Sequence, residues 1–527
     1  MIDKFGGRGS PVKSCIPAML RDRARSRPDE MAFTFVDYEQ NSAGLADSLT
    51  WSQVYRRALS VAQALTVRGS IGDRAAILAP HGLDYIAAFL GALEAGLVAV
   101  PLSAPVGIPV EDASDDHVAA VLRDASPAVI LTTSSLVGTV TKYVNSQRAE
   151  SAPLVVYVDW LDAHWRKDTG PGRESWPSTA YLHYASGSTR QPAGVVVSHN
   201  NLVANTEQLV FDYCDQRGTL PPPDTTVVSW LPFDHDMGLL MGICAPIMRG
   251  FHAVLMSPAS FLQRPARWVQ LMASNHHVWS AAPDFAYDLA VRRTSDDDMA
   301  GLDLRHVLGI LDSGERIHPT TLERFTKRFA RFHLGETVVR PTYGLAEATA
   351  YVATRLPPRS SQIVRFESDR LSAGHAQRSR NRRGTALVSY GVPRSPIVRI
   401  VDSDTRIECP AGTIGEIWVY RGKGAVGYWH KPEETERIFG ARLVTPSRGT
   451  PEGPWLRTGD RGFFSYGELF ILGRLEDRSI ARGRDRFPDD IDVRLSEIAR
   501  SGAVSRGAGN GRGPNIESTP GSMPCAG

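Results

Sequence analysis

This sequence predicts an α/β fold, strand–helix units in parallel layers followed by a β-rich stretch, and three observations predict it. Short apolar runs alternate with helical patterns through the first third, as at 75–78, 118–132 and 154–159, the rhythm of a parallel sheet with crossover helices. Segments 385–390, 397–402 and 416–420 instead alternate in the manner of strands. A chain of 527 residues, 42% hydrophobic and 22% charged, can bury several cores and shows no wholesale disorder.

Residues 16–27 alternate apolar and basic positions at helical spacing until Pro28-Asp29 stops them. A strand follows at 31–38, and Leu49-Thr50-Trp51-Ser52 opens a helix to about Val67. Gly72-Asp73-Arg74 then turns into the strand 75–78. The longest apolar tract, 85–102, is interrupted by Glu94 and Gly96, so it reads as a buried helix plus a strand at 97–102 rather than as a membrane span. A Gly/Pro/charged stretch at 165–178 marks a subdomain boundary. Farther on, Asn200 or Asn201 caps a helix to about Val210, Pro221-Pro222-Pro223 makes a surface turn, and 227–231 and 307–311 are short buried strands.

Between strand-like residues 179–184 and the valines 195–197 hangs the loop Ala185-Ser186-Gly187-Ser188-Thr189-Arg190-Gln191-Pro192-Ala193-Gly194. Gly187 and Gly194 permit positive φ, which lets successive N–H groups converge on one anion while the hydroxyls of Ser186, Ser188 and Thr189 add donors. That composition suits a phosphate cradle; the competing reading is an ordinary Ser/Gly hairpin loop. It is not of the Walker type, because no Gly-Lys-Ser/Thr follows and the next segment is a β run.

Four later stretches carry further chemistry. The strand 227–231 delivers Pro232-Phe233-Asp234-His235-Asp236-Met237-Gly238 to a strand end, where ligand crevices open in α/β sheets; His235 there is either functional or structural. The apolar run 239–248 behind it is a core helix or the lining of a hydrophobic channel. Asp312-Ser313-Gly314-Glu315 ends another strand in a glycine turn whose backbone suits the edge of a flat heterocycle, although such turns also occur without a ligand. In Pro341-Thr342-Tyr343-Gly344-Leu345-Ala346-Glu347, Tyr343 can stack on a purine and Glu347 can coordinate magnesium, or the two are a core aromatic and a surface glutamate. Residues 356–383 are polar and arginine-rich and read as a solvated loop. Finally, Asp460 in Trp455-Leu456-Arg457-Thr458-Gly459-Asp460, held by a tight turn, can accept from two vicinal ribose hydroxyls.

The formal charge of +2 supplies no global field toward nucleic acid or an anionic membrane, so any anion site must be local. Five scattered cysteines argue against a zinc site and a disulfide framework and fit a reducing cytoplasm. Residues 1–14 hold no apolar core of signal-peptide length.

The order of these motifs, and the wording SGSTRQPAGVVVSH, WLPFDHDMGL, YGLAEAT and TGD, closely resembles the fatty acyl-AMP ligase branch of the adenylate-forming superfamily, as found in mycobacteria. The resemblance implies an adenylation domain at 1–473 with three subdomains, two α/β layers and a β-rich one, and a remnant of the small C-terminal lid at 474–500. The Gly/Ser/Pro-rich tail at 501–527 has too few apolar residues to bury a core and reads as disordered. The implied reaction has two steps. A fatty acid carboxylate attacks the α-phosphorus of ATP, releasing pyrophosphate, and the acyl-adenylate passes to the carrier-protein thiol of a polyketide synthase. By the same resemblance Ser186, Gly187, Ser188, Thr189 and Gly194 hold phosphates, Gly314 and Tyr343 the adenine, Glu347 Mg2+, and Asp460 with Arg474 the ribose. His235 sits at the junction of the acyl channel and the reacting carboxylate. In that branch an insertion corresponding to 356–378 is associated with transfer to carrier proteins rather than to coenzyme A.

Two departures from the pattern stand out. Gly473-Arg474-Leu475-Glu476-Asp477 resembles the family hinge, but Glu476 reverses the charge at its lysine position. No lysine follows Lys431, so the late lysine that neutralises the α-phosphate is missing. The expectation is a ligase that binds ATP and fatty acid but adenylates ~10²–10³ more slowly, as when one oxyanion-hole donor is lost. Two other readings stay open: an acyl-CoA ligase, and a non-catalytic acyl- or nucleotide-binding protein.

Overall fold

The computed structural model describes residues 15–66, 69–103, 113–145, 152–161, 176–184, 192–214, 221–314, 316–356, 362–380, 384–420 and 424–475. In them the expected alternation resolves into two large mixed sheets. The seven-stranded sheet runs Gly427–Tyr428, Gly194–Ser198, Thr179–Tyr184, Val98–Ser103, Arg74–Ala79, Val129–Thr132, Leu154–Tyr157. Its last five strands are parallel and the first two are added antiparallel. The eight-stranded sheet runs Ala353–Thr354, Val339–Tyr343, Val307–Asp312, Val278–Ala282, Thr226–Ser229, His252–Leu255, Met31–Asp37, Leu45–Thr50, parallel except for the strand at each edge.

This arrangement corrects two expectations. Met31–Asp37 does not begin the first α/β layer but pairs with His252–Leu255 in the other sheet. Nor does 165–178 mark a change of sheet, because Thr179–Tyr184 lies beside Val98–Ser103 and the switch comes only after Ser198. Strand sequence reports burial on both faces but not the identity of the neighbour.

The helix Leu83–Glu94 is buried at every position except Asp84, which explains the unbroken apolar run. Its last residue, Glu94, has no solvent exposure and pairs at 2.8 Å with Arg21 of the helix Ile16–Ser26; a charge buried there is tolerable only because it is paired. The helix His199–Cys214 is capped by neither asparagine. Ser198 does it: its hydroxyl accepts from Asn201 N–H at 3.1 Å, and Asn201 Oδ1 accepts in return from Ser198 N–H at 2.9 Å, a reciprocal capping box. The run 239–248 is core: helical turns at Asp236–Leu239 and Ala245–Arg249 flank a π-turn at Leu240–Cys244. Pro246 has no N–H to return to the preceding turn, which favours the wider winding there.

A four-stranded antiparallel sheet follows, Val398–Val401, Gly415–Tyr420, Trp455–Ser465, Glu468–Arg474. Residues 356–383 are not a solvated loop throughout: Ile363–Phe366 pairs antiparallel with Thr385–Val388. Phe366 packs edge-on against Phe463 and Phe470 of the larger sheet, at 4.9 and 5.0 Å between ring centroids. The surrounding arginines mask this two-residue alternation in the sequence. Arg355, just past the edge of the eight-stranded sheet, reaches Glu468 at 2.6 Å, so a nearly buried ion pair fixes the two sheets to each other. No helix among the described residues is long and apolar enough to cross a membrane. Of the expected lid remnant at 474–500 only Arg474 and Leu475 are described; 476–500 and the expected tail at 501–527 lie outside the described residues.

Candidate active site

In both large sheets the sequence motifs follow the C-terminal ends of parallel strands, the edge at which α/β sheets bind ligands. Val307–Asp312 and Val339–Tyr343 are neighbours, with Asp312 opposite Pro341. Gly314 and Tyr343 therefore emerge side by side. Gly314 has φ +100°, a conformation that few other residues adopt.

Beyond Tyr343 the chain makes a tight loop. A Cβ on Gly344 would fall 1.6 Å from the Ala350 carbonyl oxygen, so only glycine closes it. Asn205, from the helix after the hydroxyl-rich loop, clamps the far side: its Nδ2 donates to Tyr351 O at 2.8 Å and its Oδ1 accepts from Tyr351 N–H at 2.9 Å. Glu347 sits on a 3-10 turn within this loop, facing a small cleft that Asn205, Gln208 and Tyr420 also line. Its Oε1 accepts from the Tyr428 hydroxyl at 2.8 Å.

Asp460 is not in a tight turn. It lies within the strand Trp455–Ser465, at a bulge where residues 457–461 oppose 416–418 and Gly459 takes φ +73°; bulges of this kind re-aim a side chain beside a functional site. The Tyr343 hydroxyl donates to Asp460 Oδ2 at 2.6 Å, and Arg474 Nε lies 3.1 Å from Oδ1. Asp460 and Arg474 are also cross-strand partners. Burial, reinforced by the Asp460 carboxylate, pushes the Tyr343 hydroxyl far above its ordinary pKa, so it stays a donor. Tyr343, Asp460 and Arg474, from three strands and two sheets, thus form one connected group, with Gly314 on the adjoining strand end and Glu347 a few residues along the loop.

His235 stands at a second locus, where the large sheets meet. Its ring is 6.3 Å from that of His183 in Thr179–Tyr184, and Ser103 at the end of Val98–Ser103 donates to Asp234 at 2.6 Å. His235 Nδ1 lies 2.8 Å from Asp236 Oδ1. Burial alone would raise the Asp236 carboxyl, but the imidazoles of His235 and His183 bring it below its ordinary value. Phe233 stacks on His81 at 3.7 Å.

His81 carries a pH signature: burial pushes its imidazole down to about 3, whereas an unfolded histidine titrates near ~6.5. Only the unfolded chain gains this proton as pH falls below ~6.5, so stability is full above that pH and declines by about 1.4 kcal/mol per unit down to the folded value. His199, lowered to about 4 by burial, adds to the slope. Urea unfolding midpoints are expected to drop steadily from neutral pH toward pH 4.5, and less steeply in His81→Phe; an equal slope in that variant would remove His81 from the account.

Gly194 opens the strand Gly194–Ser198 without the left-handed φ expected of it. It is glycine because the Tyr184 ring lies across it, 2.6 Å from where a Cβ would stand. Ser186, Gly187, Ser188 and Thr189 lie outside the described residues. The sequence did not point to Tyr428, Asn205 or Asp236. Asp236 had a signal, an acid adjacent to the flagged histidine, whereas Tyr428 and Asn205 act across long separations that no local pattern reports.

No group of three His, Cys, Asp or Glu side chains able to hold a metal occurs among the described residues. The single carboxylate of Glu347 on the cleft fits magnesium, which commonly takes one or two protein carboxylates and completes its shell with phosphate and water.

Comparison with known proteins gives concordant results. The family model described as "AMP-binding enzyme" matches residues 20–429. The long-chain-fatty-acid–AMP ligase FadD28 of Mycobacterium tuberculosis is 56% identical over 485 residues, 92% of this chain and 83% of that protein. FadD26 of Mycobacterium marinum, named likewise, is 55% identical over 490 residues, covering 92% and 82%. Among solved structures, a fatty acyl-adenylate ligase from Legionella pneumophila in complex with acyl adenylate and pyrophosphate aligns with TM-score 0.76 at 31% identity, over 91% of this chain and 81% of that one.

Proposed function

The chain belongs to the AMP-binding enzyme family, and from that membership we propose that it is a fatty-acid–AMP ligase. It joins a long-chain fatty acid to the AMP moiety of ATP. The carboxylate oxygen forms a bond to the α-phosphorus, the bond from that phosphorus to the bridging oxygen breaks, and pyrophosphate leaves with the electron pair. The observation that carries the site assignment is the hydrogen-bonded group Tyr343–Asp460–Arg474 at the strand ends, with Glu347 close by in sequence.

In this reading Gly314 and Tyr343 border the adenine and Asp460 with Arg474 holds the ribose. Ser186, Gly187, Ser188, Thr189 and Gly194 hold phosphates. His235, oriented by Asp236, faces the fatty acid carboxylate. Glu347 holds Mg2+, which when bound offsets the repulsion between two anions that must meet. The chain's own contribution is positioning: a carboxylate and a phosphate fixed face to face react without first losing their freedom. We further assign an acyl carrier domain of a polyketide synthase as acceptor, and a reducing cytoplasmic setting, in keeping with free Cys15, Cys244 and Cys409.

The test incubates the protein with ATP, Mg2+ and a panel of fatty acids, with and without coenzyme A, and then with a phosphopantetheinylated carrier domain. Acyl-adenylate, and ATP-dependent loading of the carrier thiol with release of AMP, are expected, unchanged by coenzyme A. Acyl-CoA as product would replace this reading with a CoA ligase, and tight ATP binding without any AMP or adenylate would replace it with a binding protein.

A further inference from the structure

We propose that Tyr428 is a positioning residue for Glu347, and that residues 424–431 form a strap that holds the Glu347 carboxylate in register with the seven-stranded sheet. The proposal rests on the reading of Glu347 as a magnesium ligand.

The strap is bonded along its length. Asn201 Nδ2 donates to Gly424 O at 2.7 Å, and Ala425 N–H donates to the backbone carbonyl of Glu347 at 3.1 Å. Val426 N–H donates to Val196 O at 2.9 Å, Gly427 and Tyr428 pair with Val196 and Val195, and Trp429 N–H donates to Gly194 O at 2.7 Å. Lys431 closes it with a hydrogen bond to the Pro192 carbonyl. One short segment therefore adds a strand to the seven-stranded sheet and grips the loop that leaves the eight-stranded sheet. It grips Glu347 twice, through its carbonyl and through its carboxylate.

Tyr428 is itself held. Its N–H donates to Thr435 Oγ1 at 2.9 Å and its ring meets Phe439 edge-on at 5.1 Å, so the helix Pro432–Phe439 fixes the phenol from behind. Thr435 packs so closely on Gly427 that a Cβ there would stand 2.4 Å from Thr435 Cγ2. Among the described residues the Tyr428 hydroxyl is the hydrogen-bond partner of the Glu347 carboxylate, and it occupies Oε1. Among the described residues Oε2 carries no hydrogen bond, and a side chain with three rotatable bonds is confined to one orientation without a second charge. Outer partners of this kind typically alter metal affinity ~10–100-fold.

The experiment compares the full chain with Tyr428→Phe, Phe325→Leu and Glu347→Gln. ATP binding is measured calorimetrically at graded free Mg2+ and without Mg2+, alongside adenylate formation at the same concentrations. Tyr428→Phe is expected to bind metal-free ATP as the parent does, to need ~10-fold more Mg2+ for half-maximal tightening, and to recover most of its rate at saturating Mg2+. Phe325→Leu loosens packing elsewhere, on the buried face of the helix Pro319–Phe329 against Tyr287; it should lower the unfolding temperature and leave the Mg2+ dependence in place. Unchanged Mg2+ dependence in Tyr428→Phe overturns the proposal, as does an equal shift in Phe325→Leu. If Glu347→Gln itself leaves the Mg2+ dependence unaltered, the underlying assignment of Glu347 fails instead.

Discussion

Glu347→Gln is expected to lower acyl-adenylate formation ~10²–10³-fold at saturating substrates, the loss typical when one electrostatic group is removed from a developing-charge site. The substitution changes little else. The amide oxygen can still accept from Tyr428, the side chain keeps its length, and the loop remains pinned by Asn205 and by the close approach at Gly344. The folded protein should therefore unfold at the parental temperature. What disappears is the negative charge proposed to hold magnesium, and among the described residues lining this cleft no other carboxylate replaces it. ATP–pyrophosphate exchange across an Mg2+ series reads the effect. A rate within threefold of the parent, at equal Mg2+ dependence, would mean that Glu347 is a structural partner of Tyr428 and nothing more.

Asp460→Ala should cost both stability and nucleotide affinity. In the fold, its removal strands the buried Tyr343 hydroxyl, a loss of about 1–3 kcal/mol for an unsatisfied donor; the Arg474 partner is 60% exposed and adds little. In binding, losing charge-assisted contacts to two ribose hydroxyls should weaken ATP ~10–100-fold, about 1.4–2.7 kcal/mol. Asp460→Asn separates the two effects, because its carbonyl still accepts from Tyr343 while the charge is gone. Urea unfolding and calorimetric titration with ATP together give both numbers. If Asp460→Ala unfolds early yet binds ATP as tightly as the parent, the carboxylate serves the fold alone.

How much of this was legible in the residues depended on the range of each interaction. The buried helix 83–94 and the strands before Gly314 and after the hydroxyl-rich loop could be read locally, because apolar periodicity and glycine placement are properties of neighbours in sequence. Strand partners could not. Met31–Asp37 looks like any buried strand, and nothing in it names His252–Leu255 as its neighbour. Ile363–Phe366 was lost among arginines because only Val364 and Phe366 face the core. Ser198 was passed over as a cap because two asparagines followed it, although the hydroxyl sits where the first free N–H groups need it. Asp460 was given the wrong backbone: Thr-Gly-Asp reads as a turn, and a bulge inside a long strand satisfies the same glycine.

The pair proposed to hold the ribose, Asp460 and Arg474, is made across a hairpin. Asp460 and Arg474 face each other because the alignment that Trp455–Ser465 and Glu468–Arg474 take from the turn at Tyr466-Gly467 is shifted by one residue between Gly462, opposite Ile471, and Arg461, opposite Gly473. Sliding one strand past the other by a single residue would send the guanidinium to the opposite face. Insertions or deletions in this hairpin should therefore be far less tolerated than changes of length in the connections between sheets.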